Sequence, residues 1–249
     1  MIKRYFLEIA FDGTAYHGWQ VQPNADSVQD QINICLSKLL RTEIFVQGAG
    51  RTDSGVHARQ TYAHFDFENT IPEFFVNRCN SFLPNDIQII DCSQVELECH
   101  SRFDAISRTY EYFIFKSKNP FYINKAFYFY KKLNLELMNQ AIPFLIECSD
   151  FTSFSKSNTQ TKTNNCKIYS LGWKEKDEML IFEIKADRFL RNMVRSIVGT
   201  FIELGLEKIT LSEFKKIIES KDRIRAGFSV PACGLYLKNV DYPQNIWIK

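Results

Sequence analysis

The sequence contains no Cys-x-x-Cys pair. Its seven cysteines are odd in number and scattered, and its four histidines stand at no metal-ligand spacing with them. Neither a disulfide framework nor a structural zinc site is indicated, and reduced thiols in a cytoplasmic protein are the expectation. No apolar run approaches the length needed to span a bilayer, so no membrane partner is expected. The first twelve residues imitate a secretory leader through Lys3 and Arg4, but Glu8 and Asp12 interrupt the apolar stretch, which favours a strand. There is no Gly-Lys-Ser/Thr phosphate loop and no Gly-x-Ser-x-Gly elbow, which argues against nucleotide hydrolysis and α/β-hydrolase chemistry. No fixed-period repeat and no long acidic or basic tail is present. A net charge of +2 excludes a histone-like protein. It leaves nucleic-acid binding open, because local patches rather than totals decide that.

What is present is an ordinary globular composition, 45% hydrophobic and 24% charged, with 14% aromatics. Residues 3–12 alternate as a strand and end at the Asp12-Gly13 turn signal. Ser27 caps a helix running to about Arg41, with Val28, Ile32, Leu36, Leu39 and Leu40 on its apolar side. Strands are expected at 43–49 and 60–67, a helix from Ile71-Pro72 to Phe82, and a strand at 86–97. A second unit opens near residue 106 with a strand at 109–116 and a short one at 126–131. A helix over 134–147 follows, made imperfect by Pro143. Residues 152–167 are polar, a solvated or RNA-touching loop. Strands at 167–175 and 179–186, helices at 188–204 and 211–219, and a strand at 234–240 complete the chain. Interspersed helices and strands with hairpin-like neighbours indicate two α+β domains, 1–105 and 106–249, with largely antiparallel sheets. A cleft between such halves is a natural place for a site.

The segment richest in chemistry is Gly48-Ala49-Gly50-Arg51-Thr52-Asp53-Ser54-Gly55-Val56-His57-Ala58. Three glycines flank one carboxylate, and glycine permits close backbone approach and left-handed angles. Arg51, two residues away, favours the ionised form of Asp53. From spacing alone several readings stay open: half of a nucleotide fingerprint, a hydrolytic Asp53–His57 pair, or an Asx turn without function.

The segment does not stand alone. Gly50 to Ala58 resembles the signature of the tRNA pseudouridine synthase A family, in which the central aspartate is catalytic. Phe11-Asp12-Gly13-Thr14-Ala15-Tyr16-His17-Gly18-Trp19-Gln20 resembles the family's opening block, and Asn80-Ser81-Phe82-Leu83-Pro84-Asn85-Asp86-Ile87 its second. His100-Ser101-Arg102-Phe103-Asp104-Ala105, Arg108-Thr109-Tyr110-Glu111-Tyr112 and Asp150-Phe151-Thr152-Ser153-Phe154 follow in family order. Phe189-Leu190-Arg191-Asn192-Met193-Val194-Arg195-Ser196-Ile197-Val198-Gly199 and Pro231-Ala232-Cys233-Gly234-Leu235-Tyr236-Leu237 complete a set spanning nearly the whole chain. Departures are small: Ser101 stands where alanine is usual, and Val230 where alanine often precedes the last block.

The resemblance implies a pseudouridine synthase fold, two domains of RRM or ferredoxin-like α+β type flanking a central cleft. It implies isomerisation of uridine in the anticodon stem-loop, at positions 38–40 of tRNA, with no cofactor and no metal. The partners it implies are tRNA and a second copy in a homodimer. Asp53 would be the catalytic carboxylate. Tyr110 would lie under the base and take the proton from C5, and a phenol of ordinary pKa about 10 would need a nearby arginine to do so. Arg195 would be the ion-pair partner of Asp53. Arg51 would touch the flanking phosphate or hold the nucleotide flipped out. His100 and Arg102 would make further phosphate or loop contacts. Arg188, Arg191 and Arg195, at i, i+3 and i+7, would share one face of the expected helix. From Lys185 to Arg195 there are four basic residues against one acidic. A non-catalytic RNA-binding protein on the same fold, or a synthase for another RNA site, is the alternative.

Overall fold

A computed structural model of the chain describes residues 1–156 and 161–248. Residues 157–160, inside the polar stretch expected at 152–167, lie outside the described residues. The chain packs as two compact units, Met1–Ile106 with Tyr236–Lys249, and Ser107–Leu235. Both mix helices with antiparallel strands.

The first unit is built on β1 (Lys3–Phe11), α1 (Val28–Leu40), β2 (Gln47–Gly48), β3 (His57–Phe67), α2 (Phe75–Phe82) and β4 (Ile87–Val95). β1 lies antiparallel between β3 and β4, and β2 pairs antiparallel with β3. Alternation along β1 buries Tyr5, Leu7 and Ile9 on one face. Ser27 caps α1 as expected, its hydroxyl accepting from the Asp30 amide at 3.3 Å. Val28, Ile32, Cys35 and Leu36 are fully buried, each apolar one stabilising by about 1.5–3 kcal/mol. Leu39 and Leu40 are only half-buried.

The second unit holds β5 (Ser107–Phe115), β6 (Phe127–Tyr128), α3 (Leu135–Gln140), α4 (Ile142–Ile146), β7 (Ile168–Lys176), β8 (Met179–Ala186), α5 (Met193–Gly205) and α6 (Leu211–Ser220). β8 runs antiparallel to both β5 and β7, while β6 adds in parallel to β5. α5 is buried nearly all round, leaving only Arg195 and Glu203 partly accessible. A helix with no polar face belongs in a core. Phe201 meets Phe182, Trp173 and Phe214 there, with ring centroids 5.1–5.7 Å away. β9 (Leu235–Asp241) then returns to the first unit, pairing in parallel with β3 through His57–Tyr236 and Ala58–Leu237.

Several expectations change. The division at 105/106 gave everything after it to the second unit, whereas the last strand pairs with β3 and carries the C-terminal residues back. The strand at 43–49 shrinks to Gln47–Gly48: the Ile44 and Val46 amides bond to the side chains of Ser37 and Asn33 instead of a ladder. The helix at 134–147 is two helices meeting at Ala141, with Pro143 in the first turn of the second, where its missing N–H costs nothing. The helix expected from 188 begins only at Met193, because Asn192 adopts a left-handed φ of 67°. Its side chain donates to Ser196 Oγ and Ser229 Oγ.

Candidate active site

The carboxylate loop joins β2 to β3 and is held mainly by backbone bonds. Ala49 N–H donates to the Tyr62 carbonyl at 2.7 Å, Trp19 N–H to the Thr52 carbonyl at 3.3 Å, and Val56 N–H to the Asp53 carbonyl at 3.2 Å. A side chain at Gly48 would strike the Trp19 indole, with a Cβ only 2.5 Å away. Gly55 takes a φ of 77°, open to glycine at little cost. Gly50 meets nothing within 4 Å, so the loop geometry requires two of the three glycines. Asp53 is partly buried and Arg51 is exposed.

His100 and Arg102 belong to a tight turn in the same unit. His100 N–H donates to Asp104 Oδ2 at 2.7 Å, Arg102 N–H to His100 Nδ1 at 3.1 Å, and Phe103 N–H to the His100 carbonyl at 3.1 Å. Ser101 anchors the turn: its hydroxyl donates to the Gln47 carbonyl on β2 and lies 2.8 Å from Nδ1 of the buried His64. Tyr242 donates to the Ser101 carbonyl. Burial, and then the charge of Arg4, depress the basicity of His100. Its imidazole therefore organises the turn as a neutral acceptor. Arg102 is exposed, with its guanidinium 5.6 Å from the centroid of the exposed Phe103 ring.

In the second unit Tyr110 lies on β5 opposite Ile184, half-buried, its ring edge-on to Phe189 at 5.0 Å. Two residues along the same strand face, Tyr112 is buried and donates to the Pro231 carbonyl at 2.7 Å. Burial drives its phenol pKa upward, partly opposed by the positive charge of Arg195. Arg195 leaves the first turn of α5 and donates from Nε to the Val230 carbonyl at 2.7 Å, which fixes its direction. Arg188 and Arg191 do not share a helix face with it, because both precede the helix. Arg188 N–H donates to Asp187 Oδ1 at 2.7 Å, and the Arg191 carbonyl accepts from Lys156 N–H at 3.1 Å.

Sequence reasoning left the supports of these residues without a role. Ser229, Val230, Pro231 and Gly234 form a frame that touches Asn192, Arg195 and Tyr112. A Cβ at Gly234 would lie 2.7 Å from the Tyr112 ring. The signal was the Pro231 to Leu237 block itself, matched but unassigned. Among the described residues no group of three or more His, Cys, Asp or Glu side chains could hold a metal ion. Among them, too, no helix is long and apolar enough to cross a membrane.

A family model described as tRNA pseudouridine synthase matches residues 148–243. The tRNA pseudouridine synthase A of Bacteroides thetaiotaomicron is 47% identical over 99% of this chain and 93% of its own length. That of Azobacteroides pseudotrichonymphae is 49% identical over 99% of each. The protein of the same name from Clostridium acetobutylicum is 41% identical, covering 97% of this chain and 100% of its own.

Proposed function

The chain belongs to the tRNA pseudouridine synthase A family and is a tRNA-modifying isomerase, and we propose that Asp53 carries its reaction on uridines of the anticodon stem-loop. The reaction breaks the N1–C1′ glycosidic bond, turns the base, and forms a C5–C1′ bond. C5 loses a proton and N1 gains one, so atoms and electrons balance with no added reagent. A carboxylate suits the first step. It can attack the sugar, stabilise the electron-poor C1′, or take a sugar proton, and in each case it acts as the anion.

The observation that carries this reading is the loop that holds Asp53 partly buried on a frame of backbone bonds, in a chain close to half identical to its relatives over nearly full length. Tyr110 is assigned as the base for the C5 proton, and Arg195 as the cation that accompanies the carboxylate. Arg51 is assigned to the flanking phosphate or to the flipped nucleotide, and Arg102, Arg188 and Arg191 to the RNA backbone. We assign His100 to holding the Arg102 turn, because its depressed basicity makes it a poor phosphate ligand at neutral pH.

Two further readings go with this one. A homodimer is supported by the exposed apolar side chains of Phe121, Ile123, Tyr128 and Tyr130, of which Phe121 is 89% exposed. A cytoplasmic location is supported by seven free cysteines.

The test is Asp53→Asn, which keeps the shape and removes the charge. Pseudouridine formation should vanish, while tRNA affinity stays within about threefold because phosphate contacts dominate affinity. Pseudouridine at wild-type levels in tRNA treated with this variant would show that another group carries the reaction. Mapping of modified positions with and without the enzyme reads the site specificity.

A further inference from the structure

Two of the matched blocks, 11–20 and 80–87, supply no group that the reaction uses, yet in the first unit they meet around the Asp53 loop. Tyr16 is only 6% exposed, and its hydroxyl donates to Asp86 Oδ1 at 2.6 Å. Burial first, and then the bond to Asp86, raise the pKa of this phenol far above its usual value, so it remains a donor. The Asp86 carbonyl in turn accepts from the Asp12 amide at 2.8 Å. The end of β1, the Tyr16 ring and the start of β4 are thereby tied together.

The Tyr16 carbonyl accepts twice from the residues that follow Asp53. Ser54 Oγ donates to it at 3.2 Å and Gly55 N–H at 3.4 Å. Close backbone approach backs these bonds. A Cβ on Gly13 would lie 1.9 Å from the Val56 carbonyl oxygen, and one on Gly18 would lie 2.4 Å from that of Thr52. Nδ1 of the buried His57 sits between the Gly13 amide at 3.1 Å and Asp12 Oδ1 at 3.0 Å. Segment 12–19 is thus a cradle pressed against 52–57 on both sides of Asp53. The Tyr16–Asp86 bond fixes the cradle residue that grips the loop immediately after the carboxylate.

We propose that Tyr16 and Asp86 are positioning residues, a strut that acts through the Tyr16 carbonyl on Ser54 and Gly55 to hold the Asp53 carboxylate where it reacts. The inference rests on Asp53 being the catalytic carboxylate. A merely structural pair would lower stability and leave the turnover of the folded enzyme alone. A strut sets turnover and leaves tRNA binding alone.

The experiment measures kcat and KM by tritium release from tRNA transcripts carrying 5-tritiated uridine, with thermal unfolding in parallel. Tyr16→Phe should lower kcat about tenfold with KM within about twofold, since small displacements of a reacting group weigh on the chemical step. Asp86→Ala should do the same. Asp86→Asn retains an acceptor oxygen and should recover to within about threefold of wild type. The Tyr16→Phe, Asp86→Ala double variant should fall no further than either single one, because both break one interaction. Wild-type kcat in Tyr16→Phe, additive losses in the double variant, or a loss confined to KM would overturn the strut. If Tyr16→Phe fails to fold, Asp86→Ala decides by the same thresholds. Failure of both to fold makes the pair a fold element and also overturns the proposal. An active Asp53→Asn enzyme would remove the catalytic reading and this inference with it. An inactive Asp53→Asn beside a fully active Tyr16→Phe removes the strut alone.

Discussion

Replacing Gly18 by alanine perturbs the carboxylate loop without touching any group that meets substrate. The added Cβ would stand 2.4 Å from the Thr52 carbonyl oxygen, 3.2 Å from the Asp53 carbonyl carbon and 3.3 Å from the Ser54 nitrogen. Relaxing the first contact to an ordinary carbon–oxygen separation of about 3.3 Å moves the Thr52 carbonyl by roughly 0.9 Å. That carbonyl directly precedes Asp53. Gly18 also has a φ of 97°, where a side chain costs about 1–3 kcal/mol. The Trp19 N–H bond to the same carbonyl is weakened or lost, which adds about 1 kcal/mol. Together these predict a destabilisation of about 2–4 kcal/mol, lowering Tm by roughly 5–15 °C for a chain of this size. A shift of about 1 Å in a reacting group costs up to about 100-fold in rate. Turnover should therefore fall by one to two orders of magnitude, with tRNA affinity within about threefold. Differential scanning fluorimetry reads the first effect and single-turnover tritium release the second. A Gly18→Ala enzyme with wild-type Tm and kcat would refute the idea that this contact holds the loop.

Two other outcomes test different parts of the structure. Arg102→Ala should weaken tRNA binding about equally across tRNA sequences and lower the slope of log affinity against log salt by about one, since a phosphate contact carries no base information. A change confined to one tRNA would instead indicate base readout. His64 is buried, and burial first, then His100 and Arg4, lower its pKa to about 4. Its folded pKa lies below the unfolded value near 6.5, so as pH falls the unfolded chain takes up the proton first. Stability is therefore lost between pH 6.5 and 4, by an amount on the order of 3 kcal/mol at the lower limit. His64→Gln should flatten the fall of Tm over this window. Parallel curves for the two proteins would show that His64 does not titrate in this way.

Much of the local structure was readable because its causes are local. Ser27 with apolar residues at helical spacing made α1, and alternation made β1. Where backbone conformation departed from residue type, reading failed. Phe74 and Asn192 adopt left-handed φ angles of 58° and 67°, and each starts a helix later than its apolar pattern suggests. The second case separates Arg188 and Arg191 from the face that carries Arg195. Residues 44–46 have a strand's composition, but the Ile44 and Val46 amides are claimed by side chains of α1. The chain's return was equally invisible, because β9 pairs with β3 between His57 and Tyr236, far apart in the sequence, and periodicity reports only near neighbours.

By itself the sequence determined which chemistry the protein carries, since residue type decides what a side chain can donate, accept or attack, and the ordered blocks identify the family. Only the tertiary structure decided what those residues lean on. The grip of the Tyr16 carbonyl on Ser54 and Gly55, the seat of Gly18 against Thr52, and the direction given to Arg195 by Val230 are contacts between segments distant along the chain. Their free energy comes from close packing and satisfied backbone groups, and neither is a property of any one stretch of residues.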